Sequence, residues 1–295
     1  MTLRLDTALV ERGLIRSRNR AQREIRAGRV TVDGKTATKP SVPVSDTADI
    51  TVDNADPWVA RSAHKLIGAL DAFALDPTGL KCLDAGASTG GFTQVLLARG
   101  AEHVWAVDVG TDQLDSSLRA NPAVTSLEEH NLRELAGDWL AGQKMQMTVA
   151  DVSFISLTLI VRRLLENTDG DLLLMVKPQF EAGRSALDKH GVVTDPQDRA
   201  EAVRSVAEHV KGLGAHLRGI VQSPLPGPTG NIEYFLWVHT GQTQRPRSST
   251  SAGESLDLDS IAEHIRTGAE HPLTIPARTE REGNRADSLG GKEAR

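Results

Sequence analysis

The chain has little cysteine and no long apolar run. Cys82 is the single cysteine among 295 residues, so an intramolecular disulfide is impossible and a reducing, cytoplasmic location is expected. No apolar stretch approaches the roughly 18–20 residues that a membrane-spanning helix needs, and the charged N-terminus has no signal-peptide core. The sequence therefore gives no support to secretion or membrane insertion.

Metal-ligand spacings and an overall basic charge are also missing. His64 and His190 do not stand in a His/Cys/carboxylate spacing typical of a metal site, so no metal is predicted. The net charge is -5, and composition as a whole does not predict a polyanionic partner. Residues 1–45 differ, because they contain ten Lys and Arg residues against four acids. A basic module attached to an acidic body is common in enzymes that act on nucleic acids.

A glycine-rich turn follows a short apolar run at residues 81–93, Lys-Cys-Leu-Asp-Ala-Gly-Ala-Ser-Thr-Gly-Gly-Phe-Thr. This pattern predicts a strand, a tight turn and the start of a helix. It differs from the dinucleotide fingerprint, because Asp84 ends the strand and would repel a pyrophosphate. An acid there suits a cation, such as the sulfonium and amino groups of S-adenosylmethionine. The next strand ends in Asp108, about 20 residues on, where ribose hydroxyls are usually bound.

Apolar strands alternate with amphipathic helices after residue 60. This alternation predicts a Rossmann-like, doubly wound α/β sheet of about seven strands. The predicted strands are residues 81–84, 103–108, 124–127, 145–150, 172–176, 216–222 and 233–239. Residues 241–295 are dominated by Thr, Ser, Gly, Arg and Glu, with one modestly amphipathic stretch from Leu256 to Ile265, and we expect this tail to be mostly disordered.

The N-terminal residues predict a small α+β domain. Apolar spacing indicates two short helices, with Gly13 ending the first and Ser17 capping the second, followed by a hairpin. The pattern Arg-Leu-Asp-x-x-Leu-Val-x-Arg-Gly-Leu-x-x-Ser-Arg-x-x-Ala resembles the S-four RNA-binding domain over most of residues 3–52. The resemblance implies that Arg4, Arg18 and Arg20 contact RNA phosphates. The alternative is that these arginines form an ordinary solvated helix face.

Charged residues stand at the ends of several predicted strands. Asp151 and Lys177 end the fourth and fifth strands, Glu233 begins a late strand, and Lys65 precedes the first strand. Because ligands gather at the carboxyl ends of such a sheet, these residues could converge beside a methyl donor. We expect Lys177, held by Asp151 and Glu233, either to take a hydroxyl proton or to stabilise an alkoxide, while Lys65 orients a ribose. Taken singly, each has an ordinary explanation as a solvated charge.

Four motifs together resemble the TlyA (haemolysin A) family of FtsJ-type ribosomal RNA 2'-O-methyltransferases over about residues 3–240. They are Asp-Ala-Gly-Ala-Ser-Thr-Gly-Gly-Phe, Asp-Val-Ser-Phe-Ile-Ser-Leu, Val-Lys-Pro-Gln-Phe-Glu and Gly-Asn-Ile-Glu-Tyr-Phe-Leu. The resemblance implies S-adenosylmethionine-dependent methylation of a cytidine 2'-oxygen in 16S rRNA, 23S rRNA or both, with loss giving capreomycin resistance. It implies a catalytic tetrad of Lys65, Asp151, Lys177 and Glu233. It also implies cofactor contacts from Asp84, Gly86, Ser88, Thr89, Gly90, Gly91, Phe92 and Asp108.

Two features near these motifs carry less information. The linker residues 56–59, Asp-Pro-Trp-Val, depart from the Arg-Ala-Trp-Val form associated with mycobacterial members of the family. Phe154 and Phe180 are interpreted as packing groups near the pocket mouth rather than as platforms for base stacking. A role for the linker is therefore left open.

The sequence predicts an enzyme with four segments. They are an S-four-type RNA-binding domain (1–54), a linker (55–60), an FtsJ-like methyltransferase domain (61–240) and the tail (241–295). The expected partner is ribosomal RNA or a ribosomal subunit, without a membrane, and the oligomeric state is left open. One alternative is an RNA-binding scaffold with a non-catalytic methyltransferase fold, which the intact glycine turn argues against. Another is a membrane-active haemolysin, which would need a longer amphipathic or spanning segment than any present.

Overall fold

The computed structural model describes residues 2–15, 17–53, 56–241 and 255–275. Residues 2–53 form an N-terminal domain with five short strands and two helices. Its elements are β1 (Thr2–Arg4), α1 (Leu5–Glu11), α2 (Arg18–Arg26), β2 (Val30–Val32), β3 (Lys35–Ala37), β4 (Pro43–Ser45) and β5 (Ile50–Val52). Strand β1 pairs antiparallel with β4, and β2 lies between β3 and β5 in a second antiparallel sheet.

The helices of the N-terminal domain begin and end where the sequence predicts. Gly13 has a left-handed φ of 69°, and the Ser17 hydroxyl accepts a hydrogen bond from the Arg20 amide at 3.3 Å. The apolar residues of α1 and α2, including Leu5, Leu9 and Ile25, are fully buried against the strands. Both helices therefore bury an apolar face, and the arginines of α2 lie outside this apolar core.

The C-terminal domain is built on a single large sheet. Its elements up to the second 3-10 helix are α3 (Ala63–Phe73), β6 (Lys81–Ala85), α4 (Gly91–Ala98), β7 (His103–Val107), α5 (Ser116–Arg119), β8 (Val124–Leu127) and 3-10 helices at Leu132–Glu134 and Gly137–Leu140. They continue with β9 (Met145–Ala150), the 3-10 helix Leu157–Leu159, α6 (Val161–Glu166), β10 (Thr168–Val176), α7 (Pro178–Glu181) and the 3-10 helix Arg184–Ala186. The last are α8 (Pro196–Gly212), β11 (His216–Gln222), β12 (Tyr234–His239), α9 (Leu258–Arg266) and β13 (Leu273–Thr274).

The strand order is β13-β11-β12-β10-β9-β6-β7-β8, and the five strands from β10 to β8 are parallel. Strand β12 is antiparallel to both of its neighbours. Alternate residues of β10 pack on opposite faces, with Leu172 and Leu174 in one buried cluster and Leu173 and Met175 in the other. In the sequence such strands are continuous apolar runs, because helices cover both faces of the sheet. The predicted doubly wound α/β fold is confirmed.

Residues 255–275 belong to the tail that was expected to be mostly disordered, and the structure corrects this expectation for them. Helix α9 packs on α8, burying Ile261 and Ile265, and β13 pairs antiparallel with the edge strand β11. Three buried apolar side chains, with Leu256 as the third, anchor a segment whose average composition is polar. The rest of the predicted tail, 242–254 and 276–295, lies outside the described residues. None of the described helices combines the length and the apolar character needed to cross a bilayer.

The linker between the two domains is held from both sides. Arg20 donates to the Asp56 carbonyl at 2.5 Å, and Arg23 donates to the Trp58 carbonyl at 2.9 Å. On the other side, the Gln94 side chain of α4 accepts from the backbone amide after Trp58 and donates to the carbonyl before it. Trp58 itself packs against the apolar cluster under α3 and α4. The linker therefore connects α2 of the N-terminal domain to the helix that follows the glycine turn.

Candidate active site

A cavity opens at the carboxyl ends of β6, β9 and β10. The strand order reverses between β6 and β9. The chain runs from β6 to β7 on one side of this point, and β9 and β10 lie on the other side. This is the position where doubly wound sheets bind their ligands. The lining residues are Ala60, Arg61, Ser62, Lys65, Gly86, Ala87, Ser88, Thr89, Phe92, Asp151, Ser153, Lys177, Pro228 and Glu233. All four residues of the predicted tetrad and four of the predicted cofactor residues are in this wall.

The four tetrad side chains form two separate ion pairs. Lys177 Nζ lies 2.6 Å from Asp151 Oδ1, and Lys65 Nζ donates to Glu233 Oε2 at 2.5 Å. The expectation that Lys177 pairs with Glu233 as well as with Asp151 is wrong. Lys65 lies on the buried face of α3, and its ammonium pairs with Glu233 instead. This pair also explains a lysine in the first turn of a helix, where the helix dipole disfavours a cation.

The glycine turn lets the backbone pass close to the neighbouring strand. Gly86 has a φ of 87°, and a Cβ there would lie 2.8 Å from the Asp151 carbonyl oxygen. Gly90 has a φ of 93° and ends the turn, while Gly91 begins α4 against Ser62. Gly90 and Gly91 are not in the cavity wall, so they shape the turn rather than line the cavity. Phe92 lines the cavity from α4 and stacks on Phe235 with ring centres 6.1 Å apart.

Asp84 lies behind the turn rather than in the cavity wall. It is fully buried, and its Oδ2 accepts a hydrogen bond from Thr93 Oγ1 at 2.6 Å. Burial, with the nearby charge of Asp151 adding to it, raises the pKa of Asp84 to about 7 against the opposing hydrogen bond from Thr93. Its Oδ1 is buried and accepts no hydrogen bond from any described residue. Such an acceptor is costly unless a donor or a cation reaches it.

Asp108 follows β7 and joins the glycine turn to the next loop. Its Oδ2 accepts from the Ser88 amide at 2.8 Å, and its Oδ1 accepts from the Gly110 amide at 2.7 Å. Each carboxylate oxygen has a further lone pair, which leaves acceptor capacity for ribose hydroxyls. Asp108 does not line the cavity itself. Asp108 therefore contacts the glycine turn and is not part of the cavity wall that holds the two ion pairs.

The surroundings of two residues in the loop after Asp151 were not predicted from the sequence. Ser153 lines the cavity and accepts a hydrogen bond from Lys177 Nζ at 2.7 Å. Phe154 is 91% exposed with a φ of 64°, and its ring centre lies 5.2 Å from that of Phe180. Phe154 contacts the Phe180 ring but is not buried, so the interpretation of Phe154 as a packing group holds only for this one contact. A left-handed φ is strained for an aromatic residue.

The three predicted RNA-binding arginines have different surroundings. Arg4 makes two hydrogen bonds to the Asp6 carboxylate, at 3.0 and 3.1 Å, and Arg18 adds a third at 3.3 Å. Asp6 is fully buried and also accepts from Gln22 at 2.8 Å, so it holds both guanidinium groups at the surface. The hydrogen bond from Arg4, above all, lowers the pKa of Asp6 well below its usual range. Arg20 instead contacts the linker carbonyl described above.

Asp6→Asn is expected to weaken RNA binding by the full chain about tenfold, because the amide nitrogen would face the donors of Arg4 and Arg18. Glu11→Gln, on the exposed end of the same helix, is the matched control. Both changes remove one negative charge, and general electrostatics would make both tighten binding. Filter binding at fixed salt separates the two explanations. Tighter binding by the Asp6 variant would contradict a positioning role for its carboxylate.

Comparison with known proteins agrees with this architecture. The FtsJ-like methyltransferase family matches residues 58–240, and the S4 domain matches residues 3–50. A Mycobacterium tuberculosis protein named 16S/23S rRNA (cytidine-2'-O)-methyltransferase TlyA is 52% identical over 250 residues, covering 83% of this chain and 92% of the relative. A Campylobacter jejuni 23S rRNA (cytidine-2'-O)-methyltransferase TlyA is 35% identical, covering 61% and 70%.

Two further relatives carry a haemolysin name. Hemolysin A of Brachyspira hyodysenteriae is 35% identical over 235 residues, covering 79% of this chain and 98% of the relative. A solved Streptococcus thermophilus structure, provisionally described as a hemolysin, has a TM-score of 0.69 and 32% identity, covering 90% of this chain and 95% of that one. The shared fold therefore extends over both domains.

The strand order, the glycine turn at the switch point and the lysine–carboxylate cavity define a Rossmann-like domain of the methyltransferase class. The chain belongs to the FtsJ-like methyltransferase family and carries an N-terminal S4 domain. The family resemblance read from the sequence motifs is confirmed, as is the prediction that the chain is an enzyme.

Proposed function

We propose that this chain transfers a methyl group from S-adenosylmethionine to the 2'-hydroxyl of a cytidine in ribosomal RNA. The supporting observation is the pair of lysine–carboxylate ion pairs in one cavity beside the glycine turn. The Mycobacterium tuberculosis relative is named for 16S and 23S rRNA, and the Campylobacter jejuni relative for 23S rRNA alone. Both ribosomal subunits are therefore candidate substrates.

The residues around the turn fit this cofactor. S-adenosylmethionine supplies an electrophilic methyl group on a positively charged sulfur. Asp84 offers a buried acceptor oxygen without a partner in the described part of the chain, which suits a cationic group. Gly86, Ser88 and Thr89 would cradle the ligand, and Asp108 would accept from its ribose. A bound cation would favour ionised Asp84 and so oppose the effect of burial on its pKa.

The two ion pairs would have different tasks. A ribose 2'-hydroxyl is a weak acid and a weak nucleophile, so its methylation needs placement and removal of its proton. Lys177, in its amine form, would accept that proton while Asp151 fixes the Nζ position. Lys65, held by Glu233 and almost fully buried, would orient the ribose. Catalysis then rests on groups already in place before the RNA binds.

The N-terminal domain would supply most of the RNA affinity. Arg4 and Arg18 expose half of their side chains above Asp6, which suits contacts with phosphates that position the enzyme without choosing a base. Next in the chain to the cavity-lining Ser153, the exposed ring of Phe154 offers a face of the kind on which unpaired RNA bases stack. Acting on ribosomal RNA implies a cytoplasmic location, and loss of the modification would give the capreomycin resistance expected from the family resemblance.

Labelled methyl transfer to separated 30S and 50S subunits that lack the modification tests the proposal. We expect label on one or both subunits, at a cytidine 2'-oxygen that mapping by primer extension or mass spectrometry identifies. Cofactor affinity, measured by calorimetry in parallel, shows whether the protein is competent. Normal cofactor binding without transfer to either subunit would contradict the ribosomal assignment, and label on a base nitrogen or carbon would contradict the 2'-hydroxyl assignment.

A further inference from the structure

Lys177 is held by two acceptors of different character. Its Nζ lies 2.6 Å from Asp151 Oδ1 and donates to Ser153 Oγ at 2.7 Å. Lys177 itself is only 8% exposed, whereas Ser153 is exposed and lines the cavity. An ammonium has three N–H donors, so these two contacts leave one direction for an acceptor in the cavity. Ser153 is thus the contact through which the buried Nζ reaches solvent.

Methylation of a hydroxyl leaves one proton to be removed. The new O–C bond replaces an O–H bond, and the proton that Lys177 accepts must leave before the next turnover. The acids in the cavity wall are already engaged, because Asp151 pairs with Lys177 and Glu233 pairs with Lys65. A serine hydroxyl can accept a proton on one lone pair while it releases its own hydrogen to water. Ser153 has the position and the chemistry for that transfer.

We propose that Ser153 is a positioning residue and the proton exit for Lys177, an inference that rests on the proposed methyl transfer. The Lys177 ammonium passes one proton to Ser153 Oγ as the Ser153 O–H releases one proton to water. The resulting amine then takes the proton of the 2'-hydroxyl as that oxygen gains the methyl group. Over one turnover a single proton moves from the ribose to solvent, and both side chains return to their starting forms.

Other charged groups lie in the same region as the serine. Arg61, Lys65 and Glu233 line the same cavity, and the buried Asp84 interacts electrostatically with Asp151. They are present unchanged in the wild type and in a Ser153 variant. A difference in rate or in imidazole response between the two proteins therefore reports on the serine.

The test compares Ser153→Ala with Ser153→Thr in methyl transfer to the subunit that the wild type labels. We expect Ser153→Ala to lower kcat about 10- to 100-fold with little change in KM, since a positioned proton transfer contributes about 10² to 10⁴ in rate. Its kcat should rise with imidazole concentration at fixed pH, because a small buffer base can replace the relay. Ser153→Thr keeps the hydroxyl and should retain most of the activity. Ser185→Ala, an exposed serine outside the cavity wall, should be unaffected.

The outcomes separate this inference from the proposed function. A wild type without any methyl transfer would contradict the proposed function itself. An active wild type with an equally active Ser153→Ala, or with a loss that imidazole does not restore, would overturn the role of Ser153 alone. Cofactor affinity measured by calorimetry and the thermal midpoint of each variant show whether a loss of rate comes from a disturbed fold. A loss explained by a disturbed fold would also overturn the proposed role of Ser153.

Discussion

Lys177→Met is expected to lower the rate of methyl transfer at least about 10³-fold while cofactor affinity stays within about threefold of the wild type. The substitution keeps an unbranched side chain of similar length, so the packing around β10 should survive. It removes the group that would accept the 2'-hydroxyl proton, and it leaves Asp151 without its cation at 2.6 Å. Single-turnover transfer to the labelled subunit measures the rate, and calorimetry measures cofactor binding.

Lys177→Arg distinguishes two roles that the sequence leaves open. A guanidinium keeps the positive charge but does not give up a proton under working conditions, so it cannot act as a base. If Lys177 accepts the proton, the arginine variant should be about as inactive as the methionine variant. An arginine variant that keeps more than about a tenth of the activity would instead show that the charge stabilises a developing alkoxide.

Lys81→Met is the matched control for both variants. Lys81 begins β6 at the opposite end of the sheet, and its Nζ donates to Gln143 Oε1 at 2.5 Å. Its removal takes away the same charge and one exposed hydrogen bond without touching the cavity. We expect wild-type transfer from this variant. A large loss there would mean that the assay responds to net charge rather than to the site.

The carboxyl ends of the strands could be located from the sequence, and this explains why the four side chains that were expected to converge line one cavity. Asp151 and Lys177 follow apolar runs, and parallel strands bring such positions to one edge. The pairing within the tetrad could not be read in the same way. Lys65 and Glu233 are 168 residues apart, and the contact depends on how α3 packs beside the sheet. Tertiary packing decides which lysine pairs with which carboxylate. The hydrophobic periodicity of the sequence does not contain that information.

Side chains with unusual surroundings were the hardest to predict. Phe154 is apolar, so burial is the ordinary expectation, and only the backbone conformation of its loop turns it outward. Asp6 is the buried charged residue of α1, and its burial depends on arginines and a glutamine from elsewhere in the domain. Helix α9 was missed because a polar composition was given more weight than a short apolar stripe.

Gly86→Ala is expected to lower cofactor affinity at least about 100-fold and to reduce the free energy of unfolding by about 2–4 kcal/mol. Two effects add at this position. The left-handed φ of 87° disfavours any side chain, and the new Cβ would lie 2.8 Å from the Asp151 carbonyl oxygen. Backbone atoms cannot swing aside as a flexible side chain does. The turn and the strand end must therefore separate, which moves the Asp151 carboxylate away from Lys177.

Gly79→Ala separates the clash from the backbone strain. Gly79 has a φ of 67° in the same domain, but a Cβ there meets nothing within 4 Å. This variant should lose only the roughly 1–2 kcal/mol of left-handed strain and should bind the cofactor normally. Urea unfolding gives the stability of each variant, and calorimetry gives the affinity. If both alanine variants lost the same stability and kept the same affinity, the close approach of the turn to Asp151 would have no part in forming the cofactor site.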